Sequence, residues 1–172
     1  MSQPVNKSVP TYSIIVPAYQ EATHIGSCVS ALAAQSVPRS TYEIIVIDDA
    51  STDGTAELAE QQGADTVLRV PHGGVAAARN AGIHQAKGQV VLFTDADCTP
   101  CPEWIARMVA PFTQLGVVGV KGTYRTKQRA LMARLVQLEF EIRYERMAAL
   151  PEIDFIDTYA AAYRREVLVQ EG

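Results

Sequence analysis

The sequence is short of several things. Its 172 residues include three cysteines, Cys28, Cys98 and Cys101. An odd and sparse count builds no disulfide scaffold, so a reducing, cytoplasmic setting is the expectation. Aromatic residues make up only 7% of the chain, which leaves little for a base-stacking platform. Positive charge is not in excess. Against 19 acidic residues stand 15 basic ones, a net charge of −4, and nucleic acid is not expected as a partner. No apolar run approaches the roughly 18 residues of a membrane span. The N-terminus, MSQPVNKSVPTYSIIVPAY, has no apolar stretch behind a basic one, so no signal peptide is read. Neither a GxGxxG after the first apolar run nor a GxxxxGK[ST] is present. That excludes the usual dinucleotide and P-loop phosphate cradles. His24, His72 and His84 have no zinc spacing.

What is present is 48% hydrophobic and 20% charged, the mix of one globular domain large enough for a core. Residues 13–16, 43–47, 66–70 and 90–94 are short, β-branched runs and read as buried strands. Between them lie helical patterns. Ile25, Cys28, Val29, Leu32 and Ala33 form one stripe, with Thr23 as N-cap and Pro38 past the end. Two further helices are expected to close at Gly63 and Gly88. Alternating strands and helices predict an α/β fold, a mostly parallel sheet flanked by crossover helices. Later, Pro102 opens a helix carrying Trp104, Ile105, Met108, Val109 and Phe112, and 116–124 is a strand candidate. Residues 127–149 predict a long amphipathic helix, its core stripe Leu131, Leu135, Leu138 and Ile142, ended by Pro151. Residues 153–163 are strand-like or loop, and the chain stops without a terminating element, as part of a longer protein would.

In an open parallel sheet, ligands bind outside the carboxyl ends of the strands. Pro17, Tyr19 and Glu21 follow or end the first strand, Asp48 and Asp49 the second, His72 the third, and Asp95-Ala96-Asp97 the fourth. A carboxylate-lined crevice without its own cationic cradle needs a metal to hold phosphates. Mg2+ or Mn2+ typically takes one or two carboxylates plus the phosphates themselves, and Asp95 and Asp97 suit that role.

Four segments carry a resemblance: VPAYQE, EIIVIDDASTDGT, GVAAARNAGI and VVLFTDAD, in this order. Together they resemble the nucleotide-sugar-binding half of family 2 glycosyltransferases, of the GT-A fold, over residues 11–125, and more loosely through FIDTYAAAYRREVL at 155–168. The resemblance implies one GT-A-type domain, 1–172. Its donor half is 11–100, and 101–172 begins the acceptor side. It implies a metal-dependent, inverting transfer of sugar from a nucleotide-sugar, a UDP-sugar first, to an acceptor hydroxyl. The acceptor is a glycan, a lipid-linked molecule or a small molecule. Tyr19 would pack near the base, with Pro17, Glu21 and Ala96 close by. Asp49 would accept a hydrogen bond from the base. Asp97 would ligand the metal; Asp95 would share it or face the ribose. Arg79 would border the nucleotide, and Asp157 and Thr158 the acceptor.

The family's inverting members carry a carboxylate base in an E-D motif past the acceptor segment. No such pair is present, so the base is expected beyond Gly172 and the chain alone is expected to bind a donor better than to turn it over. A non-catalytic nucleotide-sugar-binding module or truncated fragment is therefore the alternative. A nucleotidyltransferase is a third reading, disfavoured because VPAYQEATHIG is not a glycine-rich basic loop.

Blander readings stand beside these. Asp49 could cap the following helix, although Ser51 and Thr52 cap better. Arg79 could simply pair with a carboxylate, and His72 reads as a loop residue. Cys98 and Cys101 form a CxxC, but behind an acidic pair rather than at an early helix, and no redox role is expected. Lys121, Arg125, Lys127, Arg129, Arg134, Arg143 and Arg146 outnumber three glutamates in their stretch. They read as a solvated helix face, with peripheral contact to anionic lipid headgroups, or contact with a phosphorylated acceptor, as the functional alternative.

Overall fold

The structure is a computed structural model and describes residues 10–126, 128–153 and 155–171. In chain order the elements are β1 (Tyr12–Ala18), α1 (Ile25–Ala33), β2 (Tyr42–Asp48), α2 (Thr55–Gln61), β3 (Thr66–Arg69) and α3 (Gly74–Gln85). Then come β4 (Val90–Thr94), α4 (Trp104–Val109), β5 (Gly119–Lys121), α5 (Leu131–Ala148), β6 (Ala160–Arg164) and α6 (Arg165–Glu171). One six-stranded sheet runs in the order β3-β2-β1-β4-β6-β5. The first four strands are parallel, and β6 is antiparallel to both β4 and β5.

The period of two in the strands sorts their side chains onto two faces. Ile14 and Val16, Ile44 and Val46, and Leu92 pack on one face with Ile25, Val29 and Leu32 of α1 and with Trp104, Ile105 and Met108 of α4. Ile15, Ile45, Ile47, Val91 and Phe93 pack on the other with Ala78 of α3 and, at its border, Leu168 of α6. Both faces are covered, which is why the strands read as unbroken apolar runs. A buried polar knot ties the amino-terminal ends of the central strands. Ser13 Oγ donates to Glu43 Oε1 at 2.6 Å, and the Lys87 and Gly88 amides donate to Glu43 and Ser13 at 2.8 Å each.

Several local expectations change. Thr23 is not the N-cap of α1; His24 holds that position without a side-chain cap, and the His24 and Ile25 amides donate instead to the Glu21 carbonyl at 2.9 Å. Gly63 closes α2 with φ +98°, as a C′ glycine does. Gly88 does not close α3, which ends three residues earlier. It lets the chain pass against β1, where a Cβ would sit 2.6 Å from the Ser13 nitrogen. Pro102 lies before α4, whose N-cap position is Glu103.

The larger change is α5. Its stripe of Leu131, Leu135, Leu138 and Ile142 faces solvent, with Leu135 and Leu138 each 52% exposed. The packed face is aromatic and polar. Phe140 meets Tyr124 edge-on at 5.2 Å, Tyr144 shares a 2.7 Å hydroxyl contact with Tyr159, and Gln137 Oε1 accepts from the Thr126 amide at 2.8 Å. Arg125, Arg129, Arg134, Arg143 and Arg146 are exposed, as a solvated face requires. Lys121 is not; its side chain is 5% exposed and paired with Asp157. Lys127 and the N-terminal residues 1–9 lie outside the described residues, as does Asp154 in the 153–163 segment. Among the described residues no helix is long and apolar enough to cross a membrane.

Candidate functional site

The sheet order reverses beside β1: β2 and β3 lie to one side and β4 to the other. At such a switch point the loops leaving two neighbouring parallel strands part and open a crevice. The residues after β1 and β4 flank it. Tyr19 and Glu21 stand on one side, and Asp95, Ala96 and Asp97 on the other. Pro17 is a buried residue within β1 rather than a loop residue, and Ala96 is buried under the crevice.

The β1 and β2 loops are bolted together. Gln20 N donates to Ser51 Oγ at 2.9 Å and its side chain to Thr52 at 3.0 Å; Glu21 N donates to Thr55 Oγ1 at 2.9 Å. Asp53 accepts from the Ala22 amide at 3.0 Å and from Thr55. Gln20 and Ala50 hold φ of +54° and +63°, a left-handed backbone that costs about 1–2 kcal/mol in a residue with a Cβ. Strain of this kind persists where surrounding bonds over-determine it. The Glu21 carboxylate is turned to His24 Nδ1 at 2.8 Å.

Asp49 is buried, 3% exposed, yet charged. Its carboxylate accepts from the Gly73 and Gly74 amides at 2.7 and 2.9 Å, and His72 Nδ1 lies 3.0 Å from its Oδ2. It thus caps α3 across the sheet, not the helix that follows it. Burial opposes its ionisation, but the two amides and His72 prevail and hold its carboxyl below the ordinary value. The His72 and Tyr19 rings also touch, with centroids 4.5 Å apart and planes tilted by 34°.

Across the crevice, Arg79 Nη2 donates to Asp95 Oδ1 at 2.8 Å; its Nε is buried without a partner among the described residues. Asp95 is therefore engaged. Asp97 is exposed, and Cys98 Sγ at 3.7 Å is the one hydrogen-bond donor to its side chain among the described residues. Burial, then the charges of Asp97 and Asp95, push the Cys98 thiol up to about 11. A thiol held that high carries little thiolate at neutral pH. Among the described residues no three metal-ligating side chains gather into a closed site. The donor set instead fits a hard cation that arrives with phosphates, since one free, exposed carboxylate is what such an ion asks of a protein.

On the far side, Asp157 Oδ2 accepts from the buried Lys121 ammonium and, at 3.0 Å, from Tyr159. The Lys121 charge sits 5.2 and 5.6 Å from the ring centres of Tyr159 and Phe155, each within cation–π range. Burial opposes the Asp157 charge, but Lys121 and Tyr159 hold its carboxyl below the ordinary value. Thr158 is exposed beside it. A cavity of about 270 Å³ opens nearby, lined in part by Tyr124, Arg125, Glu141 and Tyr144. Tyr124 lies near enough to Asp97 to feel its charge, behind burial, Tyr144 and Cys98 in effect. Tyr124, Tyr144, Tyr159 and the contact of His72 with Tyr19 carry no sequence signal of their own; Lys121 is marked only as part of a basic run, and His72 only by its position after a strand end.

A mostly parallel sheet with carboxylates at its switch-point crevice is the architecture of an α/β domain that takes its ligand outside the carboxyl ends of the strands. The chain matches the model for glycosyl transferase family 2 over residues 13–171 and belongs to that family. It is 37% identical over 123 residues to the glycosyltransferase AglE of Haloferax volcanii, covering 69% of this chain and 40% of that protein. It superposes on the mannosyltransferase PcManGT of Pyrobaculum calidifontis, solved with GDP-Man and Mn2+, with a TM-score of 0.77 at 25% identity. That alignment covers 96% of this chain and 47% of PcManGT. It also superposes on glucosyl-3-phosphoglycerate synthase of Mycobacterium tuberculosis, solved with Mn2+, UDP and phosphoglyceric acid, with a TM-score of 0.65 at 27% identity over 92% of this chain and 57% of that one. The fold is that of GT-A glycosyltransferases. The chain spans about half the length of the solved relatives it matches.

Proposed function

We propose that this chain is the donor-binding part of an inverting, metal-dependent glycosyltransferase that takes a UDP-sugar. The carrying observation is the switch-point crevice, with an aromatic ring on the β1 side and a free carboxylate on the β4 side. Residues 11–100 form the donor half, and 101–172 begin the acceptor side. Tyr19 packs the base, and Arg79 holds Asp95 in place beside the ribose. Asp97 is the residue that would hold a Mg2+ or Mn2+. Such an ion supplies positive charge to the departing diphosphate.

In the complete reaction an acceptor hydroxyl oxygen bonds to the anomeric carbon while the bond from that carbon to the diphosphate oxygen breaks, with inversion. The hydroxyl proton goes to a carboxylate base. Asp157 and Thr158 border the acceptor. Lys121 and Tyr159 keep Asp157 ionised, which suits it to orient a hydroxyl rather than to take its proton.

Calorimetric titration with UDP, with and without Mn2+, tests the reading. Binding is expected to require Mn2+ and to weaken at least about tenfold in Asp97→Ala, the loss of one charged contact. Equal affinity of the folded variant and parent would overturn the role of Asp97. Failure of the folded parent to bind any nucleoside diphosphate would overturn the donor site.

A further inference from the structure

The helix α5 joins an outward apolar stripe to the basic stretch of the chain. Leu131, Met132, Leu135, Val136, Leu138 and Ile142 are 43–72% exposed. At 3.6 residues per turn, Leu131, Leu135, Leu138 and Ile142 fall within about 60° of one another around the helix, and Gln137, Phe140 and Tyr144 lie opposite them. Those three hold α5 to Thr126, Tyr124 and Tyr159. The stripe therefore points straight away from the body. Arg134 and Arg146 flank it, about 50–70° to either side of its centre. We propose that α5 docks the protein on an anionic bilayer, laying the stripe among the acyl chains while its arginines meet the lipid phosphates. Docking of this kind does not depend on the donor site.

Charge decides what covers the stripe. Arg125, Arg129, Arg134, Arg143 and Arg146 are exposed, against exposed Glu139 and Glu145 and half-buried Glu141. The whole chain carries −4, so this basic side stands against an acidic remainder. An anionic surface attracts the one and repels the other, which orients the protein. Among the described residues Arg134 and Arg146 have no ion pair, and that of Arg143 with Glu139 is long, at 3.6 Å. A second copy of the chain fits worse. The stripe has a coiled-coil spacing, but for a heptad and a half where about three to four heptads are usual, and two such faces bring an excess of positive charge from both sides. Among the described residues no helix is long and apolar enough to cross a membrane, so α5 would lie in the plane of the surface. Arginine stems are apolar, so the guanidinium groups can reach the phosphates while the leucines sink below them. The other side of the same helix gives Gln137, Glu141 and Tyr144 to the cavity of about 270 Å³. A docked chain would hold that cavity about one helix diameter, roughly 10 Å, from the headgroups, where a lipid-linked hydroxyl could enter it.

The test is flotation of the chain with vesicles of phosphatidylcholine alone and of equal parts phosphatidylcholine and phosphatidylglycerol, at about 0.1 M salt. The parent is expected to partition at least about tenfold more strongly to the anionic vesicles, and to lose most of that preference at about 1 M salt. The double variants Leu135→Gln/Leu138→Gln and Arg134→Gln/Arg146→Gln should each weaken partitioning about tenfold or more. Leu115→Gln, which changes a fully exposed leucine away from α5, should bind as the parent does. A parent that binds neither vesicle, or both alike, overturns the proposal. So does an unchanged affinity in either double variant, or an equal loss in Leu115→Gln. A dimer in sedimentation equilibrium that the leucine double variant dissolves also overturns it, because the stripe is then a contact between copies. Release by millimolar glycerol phosphate at constant ionic strength does the same, since a phosphate pocket and not a surface would then hold the lipid. All the changed side chains are exposed, so circular dichroism spectra matching the parent are expected for every variant.

Discussion

Asp49 joins three segments at one carboxylate: the end of β2, the loop after β3 and the first turn of α3. Hydrogen bonds to a charged group are worth about 1.5–3 kcal/mol each before the cost of burial is subtracted. Asp49→Asn puts an amide NH2 where one of the glycine N–H donors points. It is expected to lower stability by about 1–3 kcal/mol in urea unfolding at neutral pH. The pH dependence has a definite sign. The folded carboxyl titrates below its ordinary value of 3.8, so its contribution is complete above that value. It is lost as pH falls through the depressed folded value. The gap between parent and variant should therefore close in acid; a gap that stays constant down to about pH 2 would show that the charge is not what stabilises the fold. Nothing local announced this role. The partners of Asp49 are far along the chain, and the sequence offered only a contact with the base or a cap on the following helix, which Ser51 and Thr52 suit better.

At the level of elements, legibility tracked burial. The four parallel strands were plain because helices cover both faces of the sheet, and each boundary fell within two residues of the expected one. In α5 the spacing correctly grouped Leu131, Leu135, Leu138 and Ile142 on one side, but periodicity says which residues share a face and not which face turns inward. The inward face was won by Gln137, Phe140 and Tyr144, whose partners Tyr124, Thr126 and Tyr159 come from separate segments. β6 was equally obscure. Ala160, Ala161 and Ala162 have little strand preference, and their pairing with β4 and β5 makes the strand. If the α5 stripe faces water, Leu135→Gln and Leu138→Gln should each shift stability by less than about 0.5 kcal/mol. Leu32→Ala, in the core, should cost about 2–5 kcal/mol. Thermal unfolding of the three variants decides the matter, and a core-sized loss at Leu135 or Leu138 would mean the stripe is packed.

For the whole molecule, the sheet divides stability unevenly. β1 is flanked by β2 and β4, and its inward residues are closed in by helices on both sides, whereas α5 rests on the rim. Native-state hydrogen exchange should find β1 and β4 amides opening only with global unfolding, and α5 amides opening at lower free energy. Protection of α5 equal to that of β1 would contradict this division. The strand order also sets a timetable. A ribosome delivers Tyr19, Asp49, His72 and Asp97 before any of β6, so the crevice and its parallel floor can assemble while the chain is still growing. During that interval β4 has a bare flank, because the strand that covers it lies beyond the long α5 insertion. An open apolar edge of this kind invites pairing with another chain. The nascent protein is thus most in need of a chaperone after its switch-point crevice is made and before Ala160–Arg164 emerges to cover β4.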